Sequence, residues 1–145
     1  MSTRSLIGIL DADNSIDTIY CHWDGYPSNQ GPLLTQFYNT ANKVRDLIAL
    51  GGISYLAEKL EPTTDSHSFD NPERDVVVAY HRDRGEDWEH NKPAHFANID
   101  ELINGIGWED YVYLFDVRTK SWKYAPTYKL KSLADFSPLT EPFGD

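Results

Sequence analysis

SLIGILDADNSIDTIYCHW, Ser5 to Trp23, decides the fold class of this chain. SLIGIL and SIDTIYCHW are rich in β-branched and aromatic residues, and DADN between them is a cluster of turn formers, so the stretch predicts two antiparallel strands joined by a tight turn. Downstream, GYPSNQGP holds Gly25, Pro27, Gly31 and Pro32. Prolines fix φ and remove amide donors, so this spacing predicts a loop that ends where Pro32 opens a helix carried by Leu33, Leu34, Phe37 and Tyr38.

Further along, Thr40 is placed to cap a second helix, TANKVRDLIALGG, in which Val44, Leu47 and Ile48 form an apolar stripe opposite Lys43, Arg45 and Asp46. Gly51 and Gly52 end it. ISYLAEKL reads as another helical turn, and EPTTDSHSFDNPER as a surface loop. DVVVAYH, Asp75 to His81, has a continuous apolar centre, which predicts a central strand buried on both faces. RDRGEDWEHNKPAHFAN is charged enough to be an exposed excursion or a binding surface. Asn98 would cap IDELINGI with Glu101 completing a capping box, and YVYLFD and SWKYA read as a second hairpin around VRTK. From about residue 126 little regular signal remains. The sum is a single domain over residues 1–145 of the α+β class: a mainly antiparallel sheet of about five strands with helices packed on one face. No GxGxxG or P-loop motif follows a strand.

The chain has 145 residues, 40% of them hydrophobic, enough for one core without disulfide or metal staples. Its formal charge of −10 disfavours direct binding to a nucleic-acid backbone, which needs clustered Lys and Arg. The acidic residues are interleaved with basic ones, as on a well-solvated surface. No apolar run approaches the roughly 20 residues of a membrane span, and the start lacks a signal-peptide core, so a cytoplasmic location without membrane contact is expected. Cys21 is the lone cysteine, which leaves no intramolecular disulfide.

Chemistry concentrates at two predicted strand ends. CHWDGYP offers His22, Trp23, Asp24 and Tyr26, and YHRDRGEDW offers His81, Arg82, Asp83, Arg84 and Trp88. If both strands extend that far, His22 with Asp24 and His81 with Asp83 each share a face, and their convergence would hold a divalent metal. The ordinary alternative is an Asx-type turn at Asp24 and a locally satisfied His22. Cys21 as a nucleophile would need His81, because His22 points to the opposite face; a buried structural thiol is the simpler assignment. Arg82 and Arg84 beside Trp88 and Tyr26 suit recognition of a phosphate or carboxylate with a stacked ring, against surface ion pairing with Asp83, Glu86 and Asp87. His67, His90 and His95 fall in predicted loops and default to the surface.

SLIGILDADNSIDTIYCHWDGYPSNQGPLLTQFYN, KVRDLIALGGISYL and VAYHRDRGE together resemble a family of small bacteriophage and prophage proteins. The resemblance covers about the first three-fifths of the chain and carries no catalytic residue assignment. It implies an accessory protein acting in the cytoplasm of an infected bacterium, of the kind that binds a host enzyme, sequesters a small signal or blocks a host defence.

The expectation is therefore a binding protein, not an enzyme, that interferes with a host protein or a small nucleotide-like signalling molecule through His22, Trp23, Asp24, Tyr26, His81, Arg82, Asp83, Arg84 and Trp88. No cofactor is expected. The alternative is a metal-dependent hydrolase using the His-x-Asp pairs, with His22, Asp24, His81 and Asp83 as ligands.

Overall fold

The opening hairpin forms in the computed structural model, which describes residues 2–144. Strand β1 (Ser5–Leu10) pairs antiparallel with β2 (Ile16–Cys21), and Asn14 supplies the left-handed turn residue at φ 71°. Gly8 faces Thr18, where an added Cβ would stand 2.6 Å from the Asp17 carbonyl oxygen and 2.7 Å from the Thr18 methyl. Only glycine lets the two strands close at that point.

The segment expected to be a loop is instead the start of helix α1 (Pro27–Phe37). Pro27 occupies the first turn, where its missing N–H has no intrahelical partner to lose, and the Tyr26 carbonyl accepts from the amides of Asn29 and Gln30, both at 3.0 Å. Pro32 lies inside the helix and removes one ladder bond close to the N-terminus. Gly31 is required by packing: a Cβ there would collide with the Phe143 ring. Helix α2 (Ala41–Ile48) follows, with Thr40 Oγ1 accepting from the Lys43 amide at 3.3 Å and with Val44, Leu47 and Ile48 buried as expected.

Gly51, at φ 76°, then turns the chain back to the sheet, so ISYLAEKL opens with strand β3 (Ile53–Tyr55) and not with a helical turn. The DVVVAYH run contributes only β4 (Val78–Ala79), at one edge of the sheet. Val76 and Val77 are fully buried, but only Val78 and Ala79 of the run pair in the sheet; the Val77 amide donates instead to the Lys59 carbonyl at 2.9 Å, so the apolar run misled the expectation of a central strand. After it come α3 (Tyr80–Arg84), α4 (Trp88–Asn91), β5 (Ala94–Phe96), α5 (Ile99–Asn104), the hairpin of β6 (Tyr111–Asp116) and β7 (Ser121–Pro126), and β8 (Ser137–Pro138). Asn98 caps α5 by accepting from the Glu101 amide at 3.0 Å, while the Glu101 carboxylate reaches the Ala97 amide at 2.8 Å. The segment after residue 126 holds short 3-10 turns and β8.

The fold is α+β, with one mixed sheet of eight strands among the described residues, not five. Its order is β4-β3-β2-β1-β6-β7-β8, with β5 also against β2. The pairs β1–β6 and β2–β3 are parallel and the others antiparallel. Strand alternation sends Ile7, Ile9, Ile19, Tyr113 and Phe115 to the face covered by α1 and α2. Leu6, Leu10, Ile16, Val112 and Leu114 go to the other face, under Leu102 of α5. Helices thus cover both faces, a correction to the one-faced arrangement expected. No helix among the described residues is long and apolar enough to cross a membrane.

Candidate functional site

The first segment begins with a thiol that is structurally committed. Cys21 is fully buried and accepts from Gln30 Nε2 at 3.2 Å, while Gln30 Oε1 accepts from Ser5 Oγ at 2.9 Å. Burial pushes the thiol up to about 12, so Cys21 is a packed hydrogen-bonding group and not a nucleophile. His22 lies just past β2, its amide bonded to the Ile53 carbonyl at 3.1 Å and its Nδ1 2.6 Å from the Tyr20 hydroxyl. Burial and the nearby Arg4 charge hold its pKa below the ordinary imidazole value. Trp23 packs edge-on against His22 at 4.7 Å. Asp24 adopts φ 56°, a turn conformation, and its carbonyl accepts from Asn29 Nδ2 at 2.8 Å. Its side chain is therefore not on a strand shared with His22.

The second segment departs further, because residues 80–84 are helical. In a helix His81 and Asp83 diverge by about 200°, so the shared face required for a His-x-Asp ligand pair does not form. His81 is exposed; its Nδ1 donates to the Glu86 carbonyl at 2.7 Å and its ring lies 5.1 Å from Trp88. Asp83 points inward. It accepts from the Ala79 amide at 2.8 Å and from Arg82 Nε at 2.8 Å and Nη2 at 2.9 Å. His67, taken for a surface histidine, is instead buried: its Nδ1 accepts from the Glu73 amide at 2.9 Å, which leaves the ring proton on Nε2, 3.1 Å from Asp83 Oδ2. The Glu73 amide occupies Nδ1, and Nε2 is enclosed against Asp83, so the imidazole is shut away from solvent.

Arg82 is fully engaged as well. Beyond Asp83, it donates to the carbonyls of Leu60 at 2.6 Å and Val77 at 2.7 Å, which ties the loop at residue 60 to the entry of β4. It is a clamp, not a free phosphate ligand. Arg84 stacks over the Phe69 ring at 4.5 Å and faces Glu86 Oε2 at 3.5 Å.

The two segments do approach one another, through different residues from those expected. Strand β3 lies between β2 and β4, and where the outer edge of β2 passes from β5 to β3 a hollow of about 300 Å³ opens. Tyr20 and Tyr80 line it together with Glu86, His90 and Lys92. Neither His22 nor His81 lines it, and burial raises the pKa of both tyrosines. Among the described residues, no three His, Cys, Asp or Glu side chains converge on a position that would hold a metal ion.

A larger feature lies where the chain enters β1 and β6, in residues the sequence gave no reason to single out apart from Tyr26. A groove of about 860 Å³ is lined by Arg4, Tyr26, Trp108, Asp110, Tyr111 and Tyr128, among others. Trp108 is 83% and Tyr128 87% exposed, the two most exposed large aromatics among the described residues. Asp110 organises its floor: Oδ2 accepts from the Arg4 amide at 3.1 Å, its own amide donates to the Arg4 carbonyl at 2.8 Å, and its carbonyl accepts from the Thr127 amide at 2.9 Å. The usable signal was an aromatic in each of two turn-like connections, GIGWED and PTYK, where no core position calls for one.

No protein-family model, curated protein or solved structure matches the chain.

Proposed function

We propose that this chain is a non-enzymatic binding protein, an accessory protein of phage or prophage type that engages a host protein or a small nucleotide-like ligand in the bacterial cytoplasm. The observation that carries the binding reading is the groove between Trp108 and Tyr128: two large aromatics held in water on the connections that enter β6 and leave β7. Such residues are costly in solubility and dominate binding energy where they are buried by a partner. The groups a catalytic reading would need are otherwise employed, since the Cys21 thiol is buried, both His67 nitrogens have neighbours and Asp83 is clamped by Arg82. The net charge of −10 favours encounter with a basic partner surface. The phage context rests on the resemblance of CHWDGYP and YHRDRGE.

The test is affinity capture from bacterial lysate and from extracted nucleotides, comparing the wild type with Trp108→Ala/Tyr128→Ala. A partner recovered by the wild type and lost with the double variant supports the reading. Capture that survives both substitutions overturns it, as does substrate turnover by the purified protein. An Arg82 variant is unsuited to this comparison, because that side chain holds the fold together.

A further inference from the structure

We propose that the hollow at the outer edge of β2, beside Glu86, seats a primary ammonium group, carried by a free alkylamine or by a lysine of a partner. The hollow is separate from the groove between Trp108 and Tyr128, so the assignment goes beyond the binding reading and is tested independently of it.

The polar groups of the hollow are short of partners on one side only. The Glu86 carboxylate makes no hydrogen bond among the described residues: Oε2 is enclosed, and its nearest cation, Arg84 Nη1, stands 3.5 Å away on a guanidinium drawn over the Phe69 ring. The Glu86 side chain is nonetheless 40% exposed, which leaves Oε1 as the oxygen open to a ligand. Asn91 donates through Nδ2 to the Asp87 carbonyl at 2.6 Å, and its Oδ1 takes no hydrogen bond among the described residues. The other polar side chains are committed. The Tyr20 hydroxyl lies 2.6 Å from His22 Nδ1, the Tyr80 hydroxyl is bonded to Ser54, and Thr18 is buried. Lys92 Nζ donates to Glu89 at 2.9 Å, and His90 Nδ1 lies against Asp87. What remains for a ligand are acceptors, so the ligand brings donors.

Charge and shape narrow the class. Arg84 and Lys92 are outnumbered here by Glu86, Asp87 and Glu89, which turns away an anion and favours a cation. Tyr20 and Tyr80 line the same space, and aromatic rings attract a cation over their faces. With Oε2 enclosed, Glu86 cannot offer the paired oxygens that a guanidinium fork uses, so a compact ammonium is the better fit. At about 300 Å³ the hollow has room for a short alkyl chain.

Gly52 keeps that room open. A Cβ there would stand 3.6 Å from Asn91 Oδ1 and 3.7 Å from the Tyr80 ring, both ordinary contacts, whereas at Gly51 it would stand 2.3 Å from the Asn91 carbonyl oxygen. Packing therefore demands glycine at 51 and not at 52, where a larger side chain would fill the hollow.

Titration with n-butylammonium, followed by the backbone amide NMR shifts of Gly52, Glu86 and Asn91, tests the assignment, with n-butanol, n-butylguanidinium and a blocked Gly-Lys-Gly peptide in parallel. The expected result is saturable shifts with n-butylammonium, weaker binding of the guanidinium and none of the alcohol. Glu86→Gln should weaken the amine by about tenfold or more, as for loss of a charged hydrogen bond, and Gly52→Leu should abolish binding. The carboxylate has no hydrogen bond to lose, so Glu86→Gln should keep the native spectrum. Peptide binding as tight as that of the amine assigns the group to a partner lysine; binding of the amine alone assigns it to a small amine. Absence of shifts with n-butylammonium overturns the proposal. So does equal binding of the alcohol, tighter binding of the guanidinium, or an affinity that Glu86→Gln leaves unchanged, the mark of diffuse attraction to an acidic protein.

Discussion

Arg82 and Asp83 are chain neighbours whose side chains fold back onto each other: the guanidinium Nε and Nη2 hold the two carboxylate oxygens at 2.8 and 2.9 Å. The remaining reach of Arg82 goes to the Leu60 and Val77 carbonyls, so one side chain links the residue 60 loop, β4 and α3. Asp83 is only 4% exposed at its side chain, and removing its partner would leave a buried charge uncompensated. Arg82→Ala is expected to cost about 3–5 kcal/mol in chemical denaturation. Arg82→Lys keeps the charge but lacks the planar fork, and should recover only part of that loss. Wild-type stability in Arg82→Ala would refute the clamp.

Acid should act through the same pair. Burial alone would raise the Asp83 carboxyl, but the hydrogen bonds from Arg82, the Ala79 amide and His67, together with the Arg82 charge, outweigh it and hold the pKa below the ordinary value. The unfolded chain then binds more protons in that window, so stability rises with pH across it. The contribution is fully present above the unfolded pKa of about 4 and is lost as pH falls from there through the folded value. Melting temperatures followed against pH should therefore drop in this window for the wild type. In Asp83→Asn the melting temperature should be lower at neutral pH, with a shallower acid slope; equal slopes would remove Asp83 from the account.

Cys21 should be chemically silent. With its thiol buried and pushed up to about 12, a maleimide or disulfide reagent at about pH 8 should label it only after denaturant unfolds the chain. Fast stoichiometric labelling of the native protein would show that the Ser5–Gln30–Cys21 network opens.

Helix α2 is held on the sheet through its apolar stripe. Leu47 is fully buried, and Leu47→Ala is expected to cost about 2–5 kcal/mol, depending on how far the site collapses. Asp46, exposed one residue earlier, provides the control: Asp46→Ala should stay within about 0.5 kcal/mol of the wild type.

The hairpins and α2 were legible because each carries its own local signal: alternation in SLIGIL and YVYLFD, and a capped apolar stripe after Thr40. What escaped depends on distant partners. Val76 and Val77 looked like a central strand because an apolar run records burial and not strand pairing, and their backbone is bonded to Lys59 and Arg82 instead of to a sheet neighbour on each side. YHRDR changed from strand to helix at Tyr80, which dissolved the His81–Asp83 pair as the turn at Asp24 dissolved the other, since side-chain direction follows secondary structure. Gly31 read as a loop signal in isolation, but it lies within helix α1 and a Cβ there would meet the Phe143 ring far along the chain. For the candidate site, Tyr26 was identified, but Trp108 and Tyr128 join it only through the parallel pairing of β1 with β6.

That parallel pairing also governs how the molecule must assemble in time. Ser5 meets Tyr111 and Leu10 meets Asp116, so β1 finds its second neighbour only after the whole intervening stretch has been synthesised. Loop closure over such a span slows folding, and until β6 arrives one edge of β1 stays open with its backbone groups unpaired. A nascent chain halted before residue 111 would thus expose a sticky β-edge, and its rescue would fall to chaperones and not to the native contacts themselves.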